Sequence, residues 1–205
     1  MTRRIWAGSQ LEFHEPIRIG DDLRRVSTIT DVTEKAGRSG PLVFVQVRHE
    51  ISRVRDGVPL ITECQDIVYR DDPRPGEAAV VPLPAPGNAA WTRELRADEP
   101  MLFRYSAVTF NSHRIHYDQP YATGIEGYPG LVVHGPLLAT LLLDTLRHEC
   151  PRATVRSFRF RAMRPTLHMH RFTLCGQPEG DGRAVHLWVR DHEGGLTMDA
   201  AATLE

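Results

Sequence analysis

Along residues 11 to 70, apolar and polar positions alternate with the two-residue period of half-buried strands. Leu11-Glu12-Phe13 and Ile17-Arg18-Ile19 alternate, Gly20-Asp21-Asp22 turns, and Leu23 to Val32 alternates more weakly. Gly37 to Gly40 forms a turn, Leu42-Val43-Phe44-Val45-Gln46-Val47 is a β-branched strand, and Asp56-Gly57 signals a hairpin before Leu60 to Tyr69. No helical period appears in this half. Pro73, Pro75, Pro82, Pro84 and Pro86 then follow, and proline fixes φ and removes a backbone donor. They predict an extended connector. The expected division is a first half over 1–72, a linker over 73–91 and a second half over 92–205.

In the second half, Pro100 to Ala107 reads as a strand with Phe103 and Tyr105 on one face. Residues 111–118 read as part loop, part short helix, and Asp118 to Ala122 as a capped second short helix. Pro136 to Glu149 is the one clear long helix. Proline in its first turn costs no hydrogen bond, and Gly135 is an acceptable N-cap. Leu137, Leu138, Ala139, Leu141, Leu142 and Leu143 leave little polar face, so the helix is expected to be buried nearly all round. Four strands follow, over 153–164, 171–177, 184–190 and 196–204, with Asp181-Gly182 and Gly194-Gly195 as turns. His168-Met169-His170 reads as a solvated turn. The expected fold is α+β, an antiparallel sheet wrapped around a buried central helix, which is the hot-dog architecture.

Composition narrows the partners. At 205 residues with 41% hydrophobic and 25% charged content, the chain is an ordinary globular protein. A formal net charge of -1 argues against nucleic-acid binding driven by bulk charge. Lys35 is the single lysine among 25 basic residues, either from codon bias or because arginine forks hold phosphates or carboxylates. Cys64, Cys150 and Cys175 have no metal spacing and read as reduced, buried thiols of a cytoplasmic protein. No apolar run reaches membrane-spanning length, and Met1-Thr2-Arg3-Arg4 leads into no signal-like core.

The candidate chemistry sits in one segment. Asn111 precedes His116 by five residues, and Gly127-Tyr128-Pro129-Gly130-Leu131-Val132-Val133-His134-Gly135-Pro136 runs straight into the long helix. Hydration of an α,β-unsaturated thioester needs a base for water, a proton for the α carbon and donors for the enolate oxygen. His116 has the right ordinary pKa for proton transfer. Asn111 could orient the water, and backbone N–H groups at Gly135 and its neighbours, His134 included, could hold the oxyanion. The residues alone leave alternatives open: His116 as a satisfied structural histidine, His134 as a loop fixture, and His113, His116 and His134 as a metal set without carboxylate or cysteine support.

Thr109-Phe110-Asn111-Ser112-His113-Arg114-Ile115-His116-Tyr117-Asp118, with Tyr128 to Pro136, resembles the MaoC-like type 2 hydroxyacyl-thioester dehydratase family, nearest its mesaconyl-CoA and itaconyl-CoA hydratase branch. Arg4-Ile5-Trp6-Ala7-Gly8 and Gly37 to Val45 extend the resemblance through the first half. It implies a double hot-dog fold and a hydro-lyase acting on a short, branched or dicarboxylic acyl-CoA. Neither metal nor cofactor is implied, coenzyme A being part of the substrate. His116 and Asn111 are the implied catalytic residues. The family's aspartate position is occupied by Asn111, which cannot be a second acid or base, so a single-base scheme is expected. Arg114 is expected to meet a substrate carboxylate, and His113, Tyr128 and Gly130 to line the substrate site. Branch members carry further sequence before Arg4. The first half is therefore expected to be an incomplete hot dog, mostly strands, through a misplaced start, a truncated domain or a partner chain that covers the bare sheet, and a homodimer or higher oligomer is expected. The alternatives are a hot-dog thioesterase and a non-catalytic acyl-thioester-binding subunit.

Overall fold

The computed structural model describes residues 3–37, 40–71 and 81–205. The residues fall into two compact units. The first comprises Met1–Val81, Thr154–Arg161 and Ala201–Glu205, and the second Pro82–Ala153 and Ala162–Ala200. The expected linker prolines Pro73 and Pro75 lie outside the described residues. The linear division at 73–91 becomes an interleaved one, because two late pieces of chain return to the first unit.

The first unit is built of strands: β1 (Arg3–Phe13), β2 (Leu23–Gly37), β3 (Gly40–Arg53), β4 (Pro59–Arg70) and most of β6 (Val155–Ala162). They lie in the order β2-β3-β4-β1-β6, and the mapped neighbours pair antiparallel. No helix occurs among its described residues. Ile17 to Ile19 is not a strand, contrary to its alternation. Arg18 N–H instead donates to the Asp21 carboxylate at 2.9 Å, closing a turn that leaves Ile19 fully exposed. Gly8 is required by crowding, since a Cβ there would collide with the Phe160 carbonyl oxygen.

The second unit holds β5 (Trp91–Leu95), three helices and a long antiparallel meander. The meander consists of β7 (Phe172–Glu179), β8 (Ala184–Arg190) and the first part of β9 (Leu196–Leu204), in sheet order β9-β8-β7-β5. Its core contains Leu142, Leu146, Phe172, Leu174, Leu187, Trp188 and Met198, all but sealed from solvent.

The helices are α1 (Glu99–Thr109), α2 (Gln119–Gly124) and α3 (Gly135–Glu149). α3 packs on β7 and β8 and buries Leu137, Leu138, Ala139, Leu142, Thr145 and Leu146. It is less completely enclosed than expected, with Thr140 exposed and Leu141 and Leu143 half-buried. Its N-cap is His134, and Gly135 is the first helical residue.

The expected strand over Pro100–Ala107 is instead α1. The Asp98 side chain accepts the Met101 N–H at 3.0 Å, and Pro100 sits in the first turn where its missing N–H is harmless. The alternation of Phe103 and Tyr105 is incidental, and Phe103 is 63% exposed.

Candidate active site

α1 ends at Phe110, which adopts the left-handed conformation at φ 52°. This reverses the chain, and Asn111 N–H returns to the Ser106 carbonyl at 2.9 Å. The Asn111 Oδ1 then accepts the His113 N–H at 3.0 Å, an Asx-type turn that starts the 3-10 turn Arg114–His116. With Oδ1 engaged, the side chain offers its Nδ2 as a donor. Asp118 ends the segment with two tasks. One oxygen caps α2 by accepting the Tyr121 N–H at 3.1 Å, and the other takes the Arg114 guanidinium at 2.6 and 2.9 Å. The Arg114 pair and the Tyr121 N–H hold the Asp118 carboxyl below the usual carboxylate range.

These turns deliver His116 into a buried position, 7% exposed. Val132 lies opposite, its N–H bonded to the Ile115 carbonyl at 3.0 Å. Its own carbonyl is 2.7 Å from His116 Nδ1. A carbonyl only accepts, so Nδ1 carries the proton and Nε2 is left with a lone pair. Burial pushes the His116 pKa down to about 4, against the pull of the Val132 carbonyl, and His113 lowers it further. At neutral pH the ring is an uncharged base.

His134 lies face to face with His116, ring centres 3.8 Å apart and planes 18° apart. It is fully buried, its Nε2 sits 2.8 Å from Ser106 Oγ, and the Tyr105 ring meets it edge-on at 4.8 Å. Burial, reinforced by His116 and His113, pushes its pKa down to about 3. His113 meets the edge of His116 at 5.5 Å, and its Nε2 is 3.8 Å from Glu126. The three imidazoles therefore meet by faces and edges rather than by converging nitrogens. Among the described residues no group of three or more His, Cys, Asp or Glu is arranged to hold a metal.

α3 begins immediately after His134. Its first intrahelical bond comes from Leu138 N–H to the His134 carbonyl at 3.1 Å. Upstream of that donor the N–H groups of Gly135 and Leu137 belong to the unpaired first turn, and Pro136 has none. This end carries the positive pole of a fifteen-residue helix. A base, a carboxamide donor and a positive helix terminus thus come from one continuous stretch of chain. A neutral imidazole that removes a proton beside donors for a developing oxyanion is suited to addition of water across an activated double bond.

Residues 1–168 match the family model described as hydroxyacyl-thioester dehydratase type 2. The chain belongs to this family. Over 205 residues it is 44% identical to the mesaconyl-C(4)-CoA hydratase of Chloroflexus aurantiacus, covering 98% of this chain and 70% of that one. Among solved structures it resembles the peroxisomal multifunctional enzyme type 2 of Drosophila melanogaster, with a TM-score of 0.78, 17% identity and coverage of 98% of this chain but 37% of that one. It also resembles a MaoC-like dehydratase of Phytophthora capsici, with a TM-score of 0.75, 14% identity and coverage of 98% and 72%. These structural likenesses establish the hot-dog fold. Membership makes the chain an enzyme of the hydro-lyase kind.

The remaining site residues expected for a type 2 dehydratase separate into two groups. His113 and His134 pack on the His116 ring, Asn111 is tied to the His113 backbone, and Gly135 follows His134 at the start of α3. Arg114 is engaged, because Asp118 takes its fork and the Tyr121 ring lies under it at 4.2 Å. Gly130 is buried against the loop over 166–170, where a Cβ would collide with Met169 and lie 3.0 Å from His168 Cε1. Its lack of a side chain thus serves packing. Tyr128 is half-buried, with its N–H on the Ala122 carbonyl at 2.9 Å.

Sequence reasoning missed Ser106, because α1 was read as a strand. It also misread His168, which is buried rather than solvated. His168 Nδ1 is 3.3 Å from the Leu131 carbonyl and Nε2 is 3.3 Å from Glu99. The thiols of Cys64 and Cys150 are half-buried and that of Cys175 is buried, and all are free. No helix among the described residues is long and apolar enough to cross a membrane.

Proposed function

We propose that the chain adds water reversibly to the double bond of a short, branched or dicarboxylic α,β-unsaturated acyl-CoA. The observation that carries this reading is buried His116, whose Nδ1 is claimed by the Val132 carbonyl while Nε2 has no hydrogen bond among the described residues. Asn111 Nδ2 donates to the attacking water and aligns it. His116 Nε2 removes one water proton while the water oxygen bonds to the β carbon. The electron pair of the double bond moves toward the thioester carbonyl, and the N–H groups of Gly135 and Leu137 stabilise the resulting enolate oxygen. The imidazolium then returns its proton to the α carbon, giving the 3-hydroxyacyl thioester. Burial disfavours the charged ring, which favours the return of this proton. No metal or redox group is needed in the scheme. Thioester hydrolysis is disfavoured because the carboxylates beside the site are engaged, Asp118 with Arg114 and Glu126 near His113.

The acyl group is suggested by the 44% identity to a hydratase named for mesaconyl-C(4)-CoA. A substrate carboxylate reaching Arg114 would have to compete with Asp118. The test is loss of the enoyl-thioester ultraviolet band with mesaconyl-CoA, itaconyl-CoA and crotonyl-CoA offered separately. Rapid loss with a dicarboxylic substrate is expected. Faster loss with crotonyl-CoA would overturn the dicarboxylic assignment, and loss with none of them would overturn the hydratase reading.

A homodimer or larger assembly in the cytoplasm belongs to the same proposal. The first unit exposes Ile29 and Val32 at 65% and 61%, apolar surface of the kind that subunits cover. A monodisperse monomer in light scattering at micromolar concentration would count against it.

A further inference from the structure

We propose that His134 is a positioning residue, anchored by Ser106, which holds the base and the oxyanion donors in register. The inference rests on His116 being the base. Three contacts converge on this one fully buried ring. Its face covers the face of His116 at 3.8 Å. Its Nε2 is fixed to Ser106 Oγ at 2.8 Å, which ties it to α1. Its backbone is the N-cap of α3, so the next N–H in the chain is that of Gly135. A shift of the His134 ring would therefore move the base and the oxyanion donors relative to one another.

The titratable groups packed on it are His116, face to face, and Tyr105, edge-on, while His113 stands behind His116 and meets the edge of that ring, and no carboxylate is among them. Its second nitrogen, Nδ1, is buried without a hydrogen-bond partner. Such a group is costly to keep in a merely structural position, where an apolar ring would pack without that penalty. The Ser106 bond explains a polar ring at this point, because an apolar one would lose the anchor.

Two substitutions separate the contacts. His134→Phe keeps a ring over His116 and loses the anchor, whereas Ser106→Ala removes the anchor alone. Leu142→Ala, in the α3 core and away from the rings, is the control for general loosening. In the full chain at temperatures where each variant is folded, His134→Phe is expected to lower kcat by about 100-fold with KM little changed. Ser106→Ala is expected to lower it by about tenfold. The second readout is independent of turnover. An unanchored ring shifts and lets water reach His116, so in NMR titration the His116 ring proton should move from a midpoint of about 4 toward the ordinary value of 6.5 in both variants, and stay in place in Leu142→Ala. An unchanged His116 midpoint in folded His134→Phe and Ser106→Ala would overturn the inference, as would an equal loss of kcat in Leu142→Ala. A wild-type enzyme inert toward every thioester would defeat the proposed reaction instead, and the titration would still decide whether His134 positions His116.

Discussion

Two buried histidines in the second unit have opposite fates. His116 and His168 are 7% and 4% exposed, and each turns its Nδ1 toward a backbone carbonyl, Val132 for one and Leu131 for the other. They differ at Nε2. In His168 it faces the Glu99 carboxylate at 3.3 Å, so both nitrogens are occupied and the ring ties the loop over 166–170 to the start of α1. In His116 Nε2 has no hydrogen-bond partner among the described residues, and the ring is flanked by imidazoles rather than by a carboxylate. Burial alone therefore does not identify a catalytic histidine. What identifies it is one nitrogen fixed by an acceptor and the other left able to take a proton.

The sharpest break of this comparison is His116→Ala against His168→Ala. Removing a general base typically costs 10²–10⁴-fold, so His116→Ala should fall into that range with the fold retained. His168→Ala should keep kcat within about tenfold, less than the loss of a base, and lower the melting temperature. Comparable losses of kcat in both would erase the distinction. Next in size is Asn111→Ala, which removes the water-aligning donor and the His113 turn together. A loss of about 100-fold in kcat is expected, with Asn111→Asp restoring the turn but not the rate, because a carboxylate oxygen replaces the Nδ2 donor.

Acid should act on stability as well as on rate. Unfolded, both His116 and His134 protonate near 6.5, whereas in the fold they do so only at about 4 and about 3. Between those limits the unfolded chain binds more protons, so stability falls as pH drops from 6.5 toward 4. Each unit of difference corresponds to about 1.4 kcal/mol. Urea melts at pH 7.5 and 5 should show it, and His134→Phe should weaken the dependence. The smallest effect concerns Arg114 and Asp118. Asp118→Ala removes a helix cap and an ion pair, whereas Arg114→Ala removes the exposed pair and the stacking on Tyr121 but no cap. A loss of about 1 kcal/mol is expected for the first and less for the second. If Arg114→Ala instead raises KM specifically for a dicarboxylic acyl-CoA, the guanidinium leaves Asp118 for the substrate.

Much of this arrangement was legible in the chain. The meander of β7, β8 and β9 was readable because its two turns carry glycine at positive φ, as Gly182 and Gly194 do. The His116 segment and the start of α3 were legible as a motif. α1 was not, because Phe103 and Tyr105 imitate a strand and outweighed the Asp98-Glu99-Pro100 start signal, which was there to be used. That error hid Ser106, whose partner lies 28 residues further on. His168 was misjudged because nothing local indicates that the bare face of Gly130 admits its ring. The occupation of Arg114 by Asp118 was open to a closer reading, since the two residues stand four apart.

The central claim is that His116 is a neutral base with its free lone pair on Nε2. Long-range ¹⁵N–¹H NMR of the folded protein reads this directly. The account predicts a proton on Nδ1, a bare Nε2 at pH 7 and no titration until the pH approaches 4. A ring protonated at Nε2, or one that titrates near 6.5, would contradict it.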